Sequence, residues 1–196
     1  MSSGKKTFLR IYFIICAIFV LDCLLYYFKE ISLRGYYSDV FLSWLWLLSS
    51  FVIIIVFWKK LLAKLFLAAI LVTFALSIIA MMLPFYTLLL SSTSLGLYQN
   101  KDLNENYRAQ IVGYGVMVQP WLEVIEKKGL FEKRIIKCTD SEIMNDNLDI
   151  KIRTAKDILF KNETDSTLTL TLFYGGPNKT ITFDKKTRNI TAIQNN

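Results

Sequence analysis

The chain has no histidine in its 196 residues. That removes the commonest general base, the side chain that titrates near neutral pH and the commonest metal ligand. Every Ser-His or Cys-His nucleophile arrangement goes with it. Cysteine is scarce as well: Cys16, Cys23 and Cys138. The first two lie in an apolar run, where a thiol behaves as a small hydrophobe. Cys138 stands alone in the polar half, so that half has no internal disulfide, and no CxxC spacing for a metal occurs. Gly113-Tyr114-Gly115 lacks the third glycine and the following helix of a dinucleotide fingerprint. The sequence therefore predicts no cofactor, no metal and no catalytic set.

Charge is the next thing missing, and its absence is local. From Leu61 to Leu90 only Lys64 is charged. That run exceeds the roughly 20 apolar residues a helix needs to cross a hydrocarbon core. Upstream of it the chain is almost all hydrophobic; downstream, from about Ser91, it is polar and rich in strand formers. Residues 1–90 carry eight Lys/Arg against three Asp/Glu, and residues 91–196 carry fifteen against thirteen. The basic excess belongs to the apolar half, where it reports membrane orientation rather than nucleic-acid binding.

Three spans are expected. A basic stretch, residues 1–10 with Lys5, Lys6 and Arg10, precedes an apolar run over 11–28 broken only by Asp22. Tyr26, Tyr27 and Phe28 stand where a signal peptidase would need small residues, so the run reads as an uncleaved first span. Residues 29–39 form a short polar loop with Gly35 and the Tyr36-Tyr37 pair. The second span covers 40–58, uncharged, with Trp44, Trp46 and Trp58 toward its ends, where indole rings favour the interface. A turn at 59–64 carries Lys59, Lys60 and Lys64, and has no Gly or Pro. The third span runs over 65–83 to Pro84, with an exit segment to residue 90. The positive-inside rule puts the N-terminus and the 59–64 turn in the cytoplasm and residues 29–39 outside. Three crossings then leave the C-terminal half outside a cytoplasmic (inner) membrane. Ala69, Thr73, Ser77 and Ala80 make a small-residue stripe on the third span, suited to helix packing within the bundle or against another membrane protein. Asp22 is the one acid inside a span, a costly placement and a candidate functional site. Tyr26, one turn on, is a candidate hydrogen-bond donor to it; snorkelling to the outer interface is the plainer role.

After a linker over 91–106, residues 107–196 read as a small β-rich (α+β) domain. Tyr107 to Val118 favours a strand, with Gly113 and Gly115 marking a bulge or close backbone contact. Residues 120–128 read either as a short helix opening at Pro120 and ending at Gly129, or as the first arm of a hairpin turning at Gly129; the β-branched residues after Gly129 favour the hairpin. Thr139 to Asn147 predicts a cap and one or two helical turns, and Leu148 to Arg153 a strand. Ser166 to Tyr174 alternates Thr with Leu, which predicts a strand with its leucines inward and its threonines in solvent. Gly175 to Asn178 turns into a partner strand over Lys179 to Phe183, and a last strand covers Ile190 to Ile193. Asn162, Asn178 and Asn189 each open an N-x-T sequon in the domain expected outside.

Two functions of different classes follow. The first is a non-enzymatic envelope protein of the accessory, sensor or immunity type, whose outer domain binds a protein partner. Tyr107, Tyr114, Trp121 and Tyr174, at expected turns or strand ends, are its candidate contact residues, with core packing as the competing role for each. The second is a small membrane enzyme or transporter component built on Asp22.

Overall fold

Residues 3–79, 90–91, 93–114, 119–143 and 150–195 are described in the computed structural model. The chain divides into two compact units, Met1–Ser94 and Leu95–Asn196.

The first unit is helical because its sequence offers uninterrupted apolar residues and almost no breaker. Helix α1 (Ser3–Lys29) has 27 residues, about 40 Å at 1.5 Å per residue. It ends where Glu30 takes a left-handed conformation, φ +58°, its N–H donating to the Tyr26 carbonyl at 3.0 Å. A short strand β1 (Ile31–Leu33) leads to Gly35, whose φ of +90° is open to glycine at little cost. Helix α2 (Tyr36–Val56) follows, so residues 36–39, expected in the loop, form its first turn. The two helices run antiparallel, joined by contacts whose numbering climbs one as it descends the other. Lys5 lies 6.0 Å from the Phe57 ring centre, the Tyr12 and Ser50 hydroxyls are 3.1 Å apart, and the Phe19 and Trp46 rings stack at 5.0 Å. The reversal into α3 (Leu61–Ile79) is closed by backbone bonds over Phe57–Lys60, earlier than the lysines indicated and with no glycine or proline.

Both α1 and α2 are long and apolar enough to cross a membrane. Soluble core helices can pass the same test of length, but they are mostly buried. Here α1 has no buried residue: Leu9, Tyr12, Ile15, Cys16 and Phe19 form a half-buried stripe, of which Tyr12 and Phe19 meet α2, and large apolar side chains such as Phe13 (62% exposed) cover the rest of its surface. An apolar helix packed on one side only, by α2, and exposing large apolar side chains on the others is of the kind that could sit in a membrane. Pro84, Ala80 and the end of the expected third span lie outside the described residues.

The second unit is two antiparallel meanders packed face to face. In the first, strands β2 (Leu97–Asp102), β3 (Tyr107–Val112), β4 (Trp121–Lys128) and β5 (Phe131–Cys138) each pair with the next. In the second, β6 (Asp157–Glu163), β7 (Thr167–Phe173), β8 (Lys179–Asp184) and β9 (Ile190–Asn195) do the same. Between them helix α4 (Asp140–Ile143) and a 3-10 turn (Ile152–Thr154) plug one side of the core. The core takes Ala109 and Ile111 from β3, Leu122 and Val124 from β4, and Ile136 from β5. Facing them are Ile158 of β6, Leu168, Leu170 and Leu172 of β7, and Ile181 and Phe183 of β8. Period-two alternation puts one face of each strand inside, and each fully buried Leu or Phe contributes about 1.5–3 kcal/mol.

Local chemistry sets the corners. Glycine at 129 and 175 supplies left-handed residues to two hairpins, with φ of +64° and +84°. Thr139 opens α4 as a capping box, its N–H donating to the Glu142 carboxylate at 2.6 Å. Asp184 accepts the Lys186 and Thr187 N–H groups in an Asx turn.

Four expectations are corrected. Residues 91–106 are not merely a linker, since they contain β2. Of the strand expected over 148–153, the described residues 150–153 form none: Ile152 enters the core from a 3-10 turn, and residues 148–149 lie outside the described set. A whole strand, β6, was not foreseen. The threonine face of β7 is not simply solvent-facing, because Thr169 pairs with Thr182 and Thr171 with the buried Thr180 through their hydroxyls, at 3.1 and 2.9 Å. The hairpin reading of 120–138 and the leucine-inward reading of β7 both hold.

Candidate functional site

The second face of the first sheet, turned away from the core, carries most of the buried charge of this unit. Alternation along β3 and β4 places Arg108, Gln110, Trp121 and Glu123 on this face. On β5 a bulge does the placing. Val124 pairs with Ile136 and Ile125 with Arg134, so Ile135 is the extra residue. It flips the alternation, leaving Ile136 and Cys138 in the core while Glu132 and Arg134 join the charged face.

The groups there form one connected network. Arg108 donates to Glu132, to Gln110 and, at 3.0 Å, to Asn100. The Gln110 amide donates to Glu123 at 2.7 Å, and Arg134 donates to the same carboxylate at 2.9 Å. Trp121 completes it, its indole N–H donating to Glu123 at 2.8 Å. Arg108, Gln110, Glu123 and Glu132 are all buried. Two arginines meet two carboxylates, so the charge is balanced inside the cluster, which is the condition under which buried ions are tolerated. Such a network holds its members in one geometry, and its consequence is to fix the Trp121 ring.

That ring belongs to an aromatic corner where β2 begins, β3 ends and β4 begins. Tyr114 meets Trp121 edge-on with ring centres 5.7 Å apart, and the Lys137 ammonium sits 4.4 Å above the indole. Next to them Arg153 lies 5.2 Å from the centre of the Tyr98 ring. Two glycines make the close packing feasible. A β-carbon on Gly96 would stand 2.7 Å from the Tyr114 ring, and one on Gly113 3.0 Å from Tyr98 and 3.2 Å from Pro120. Tyr98 is 42% exposed, and Lys137 and Arg153 are exposed. The corner is thus a rigid aromatic floor with a basic rim, able to engage a partner through cation–π, stacking and hydrogen-bond contacts and carrying no nucleophile.

Of the four aromatic residues singled out in the sequence, the fold joins two, Tyr114 and Trp121. Tyr107 is buried in the core cluster at the opposite end of β3, with Lys185 5.3 Å from its ring centre. Tyr174 packs against the core after β7, and its hydroxyl is buried without a hydrogen-bond partner among the described residues. Tyr98, Lys137 and Arg153 were missed. Their signal is faint, because a tyrosine in a polar strand and two scattered cations join only through the fold.

Cys138 is buried beside the start of α4. Burial pushes its thiol pKa well up, and the Glu142 and Asp140 carboxylates push it further. A thiol so placed stays protonated and is a poor nucleophile. Asp22, half-buried on α1, takes the Leu33 backbone N–H on its carboxylate. Of the expected packing stripe on α3, Ala69 is exposed and Thr73 half-buried. Among the described residues no group of His, Cys, Asp and Glu could hold a metal ion.

No known family model, curated protein or solved structure matches this chain.

Proposed function

We propose that this is a multi-pass protein of the cytoplasmic membrane, with three crossings and its N-terminus inside. Its β-rich domain stands on the outer side and works by binding a protein partner, in an accessory, sensor or immunity role. The observation that carries this reading is the aromatic corner held rigid by the buried network. Preorganised Tyr and Trp side chains lose little entropy on contact and are common binding hot spots. The rim of Lys137 and Arg153 favours an acidic partner surface. The state of Cys138 argues on the same side, since the one thiol of the domain is shut off from chemistry. The bond from Leu33 supports a structural duty for Asp22, tying the first loop back to α1, over a transport role.

The partner test uses a photoreactive residue in place of Tyr98, in native membranes. It should crosslink to one dominant protein, and Lys137→Ala or Arg153→Glu, both at exposed positions, should abolish that product with the thermal midpoint of the domain unchanged. Asp22→Asn should leave the product intact. Loss of the cellular phenotype with Asp22→Asn, and its survival in both corner variants, would move the active element into the membrane. Orientation is read separately. Lys186→Cys, exposed in the β8–β9 turn, should react with a membrane-impermeant thiol reagent in intact cells, whereas buried Cys138 should react only after denaturation.

A further inference from the structure

We infer that the helical unit binds acidic phospholipid at one end, where six cations meet the apolar surface of its helices. Residues 1–90 contain eight Lys/Arg and three Asp/Glu. The fold sorts them. Lys5 lies 6.0 Å from the Phe57 ring centre, which brings the first turns of α1 beside the reversal between α2 and α3. Lys5, Lys6 and Arg10 of α1 thereby share one end with Lys59 and Lys60 of the reversal and with Lys64 in the first turn of α3. All six are exposed. The three acids belong to the other end. Asp22 accepts the Leu33 N–H from beyond the close of α1, Glu30 follows α1, and Asp39 lies in the first turn of α2. Lys29 and Arg34, the two remaining cations, stand with them. Along α1 alone, Asp22 is about 18 Å from Arg10 at 1.5 Å per residue.

Six like charges gathered without a carboxylate of their own unit repel one another, and a bound anion relieves that repulsion. The surroundings select the anion. Phe8, Trp58, Leu61 and Leu62, at the same end, are each more than half exposed. Cations and large apolar side chains thus lie side by side, as phosphate and acyl chain do in a phospholipid. A tryptophan at this level suits the boundary between headgroup and hydrocarbon. Lys6 and Arg10 stand one turn apart on the same face of α1, a spacing that lets both reach one phosphate.

A zwitterionic headgroup carries its own cation and leaves the excess charge uncompensated, whereas an acidic headgroup adds a net negative charge at the level of the lysines. Free phosphate and nucleic acid also offer anionic oxygens, but neither gives Leu61 and Leu62 an acyl chain to meet. The inference rests on the membrane reading of the helical unit, which it deepens by naming a lipid class and the residues that hold it. It is independent of the aromatic corner and of which side of the membrane this end faces.

The test titrates the full chain, purified in a neutral detergent, with phosphatidylglycerol or with phosphatidylcholine of the same acyl chains, and counts bound lipids by native mass spectrometry. Phosphatidylglycerol should bind about tenfold tighter at low salt, and the preference should shrink as salt is raised. Lys6→Gln, Arg10→Gln and Lys60→Gln together should bring the two lipids within about twofold of each other, with the thermal midpoint unchanged. Lys6→Arg with Lys60→Arg keeps the charge and should keep the preference, as should Lys29→Gln at the other end. Millimolar inorganic phosphate should not displace the lipid. Equal affinity for the two lipids in the unaltered chain, a preference that survives the triple change, or the same loss from Lys29→Gln would each overturn the inference. So would displacement of the lipid by inorganic phosphate or by a short single-stranded oligonucleotide. Membrane placement is read separately, by alkaline washing of phosphatidylcholine vesicles that carry the chain. A chain that washes off sinks both readings; one that stays while showing no lipid preference sinks this inference alone.

Discussion

The two units of this chain bury opposite things. Met1–Ser94 turns its apolar side chains outward and hides a few polar contacts between helices, such as that of Tyr12 with Ser50. Leu95–Asn196 hides leucine, isoleucine and phenylalanine, and on the other face of one sheet it also hides arginine and glutamate. On the membrane reading proposed above, each pattern is a response to solvent. In hydrocarbon an exposed Phe costs nothing and an unpaired backbone amide costs several kcal/mol, so uninterrupted helices win. In water the apolar face must be covered, and two sheets of period-two strands cover it. The same chain therefore has to be judged by two rules.

The largest expected effect is on solubility. Residues 95–196 expressed alone should be soluble and cooperative in unfolding, with a strand-dominated far-ultraviolet spectrum, while residues 1–94 should need detergent. The boundary is sharp. A fragment beginning at residue 107 would lose β2, which pairs with β3 and whose Lys101 meets Asp157 of β6, and it should aggregate. A helical spectrum from the longer fragment would break the comparison at its root.

Next in size are single changes on the two hidden faces of the second unit. Glu132→Ala would leave Arg108 buried and uncompensated, at a cost of about 3–5 kcal/mol. Leu170→Ala, in the centre of the sandwich, should cost about 2–5 kcal/mol through lost transfer energy and the cavity left behind. Phe13→Ala on α1 deletes a larger side chain but one with nothing folded around it, and should shift unfolding in detergent by far less than either. Denaturant midpoints for the three variants decide the matter. Similar losses for Phe13→Ala and Leu170→Ala would show that α1 is packed in protein rather than in lipid.

The sequence disclosed this contrast unevenly. Strands with one clean apolar face were plain: the leucines of β7 are all inward, and the lone Gly129 marks the turn of the β4–β5 hairpin. Edge strands were not. β2 reads LYQNKD and β6 reads DILFKNE; neither needs a full apolar face, and the bulge at Lys161 breaks what period β6 has. Residues 148–153 misled in the other direction, because one buried isoleucine between two exposed cations imitates a strand. The charged network was invisible for a different reason. The pairs Arg108/Gln110, Trp121/Glu123 and Glu132/Arg134 share a face only once the register is known and Ile135 is recognised as extra. Asp22 was conspicuous, but its partner Leu33 lies past a helix end and a left-handed residue, beyond the reach of a spacing argument.

The smallest expected effect is a pH dependence confined to the second unit. The hydrogen bond from Lys101 holds the Asp157 carboxyl below its ordinary value, and that from Lys185 does the same for Glu163. A carboxyl whose folded-state pKa is depressed lends stability above its unfolded-state pKa, and that stability is lost as pH falls through the folded-state value. The loss from these pairs should therefore appear below about pH 4. For Lys185 burial acts to lower the pKa, but the bonds to Glu163 and Tyr107 outweigh it and the net shift is upward. Its contribution is complete below the ordinary lysine range and disappears as pH rises above it. Both partners of the Lys101–Asp157 pair are about 40% exposed, so solvent screening limits that pair to well under 1 kcal/mol. Lys101→Met should accordingly flatten only part of the acid limb in a plot of denaturant midpoint against pH, and Lys185→Met a further part, with Asp184, held low by its Thr187 bonds, keeping the remainder. Lys185→Met should lessen the alkaline limb, to which the buried Cys138 and Tyr174 also contribute. If Lys101→Met abolished the acid limb alone, the pair of Lys101 on β2 with Asp157 on β6 would be the main electrostatic tie in the domain.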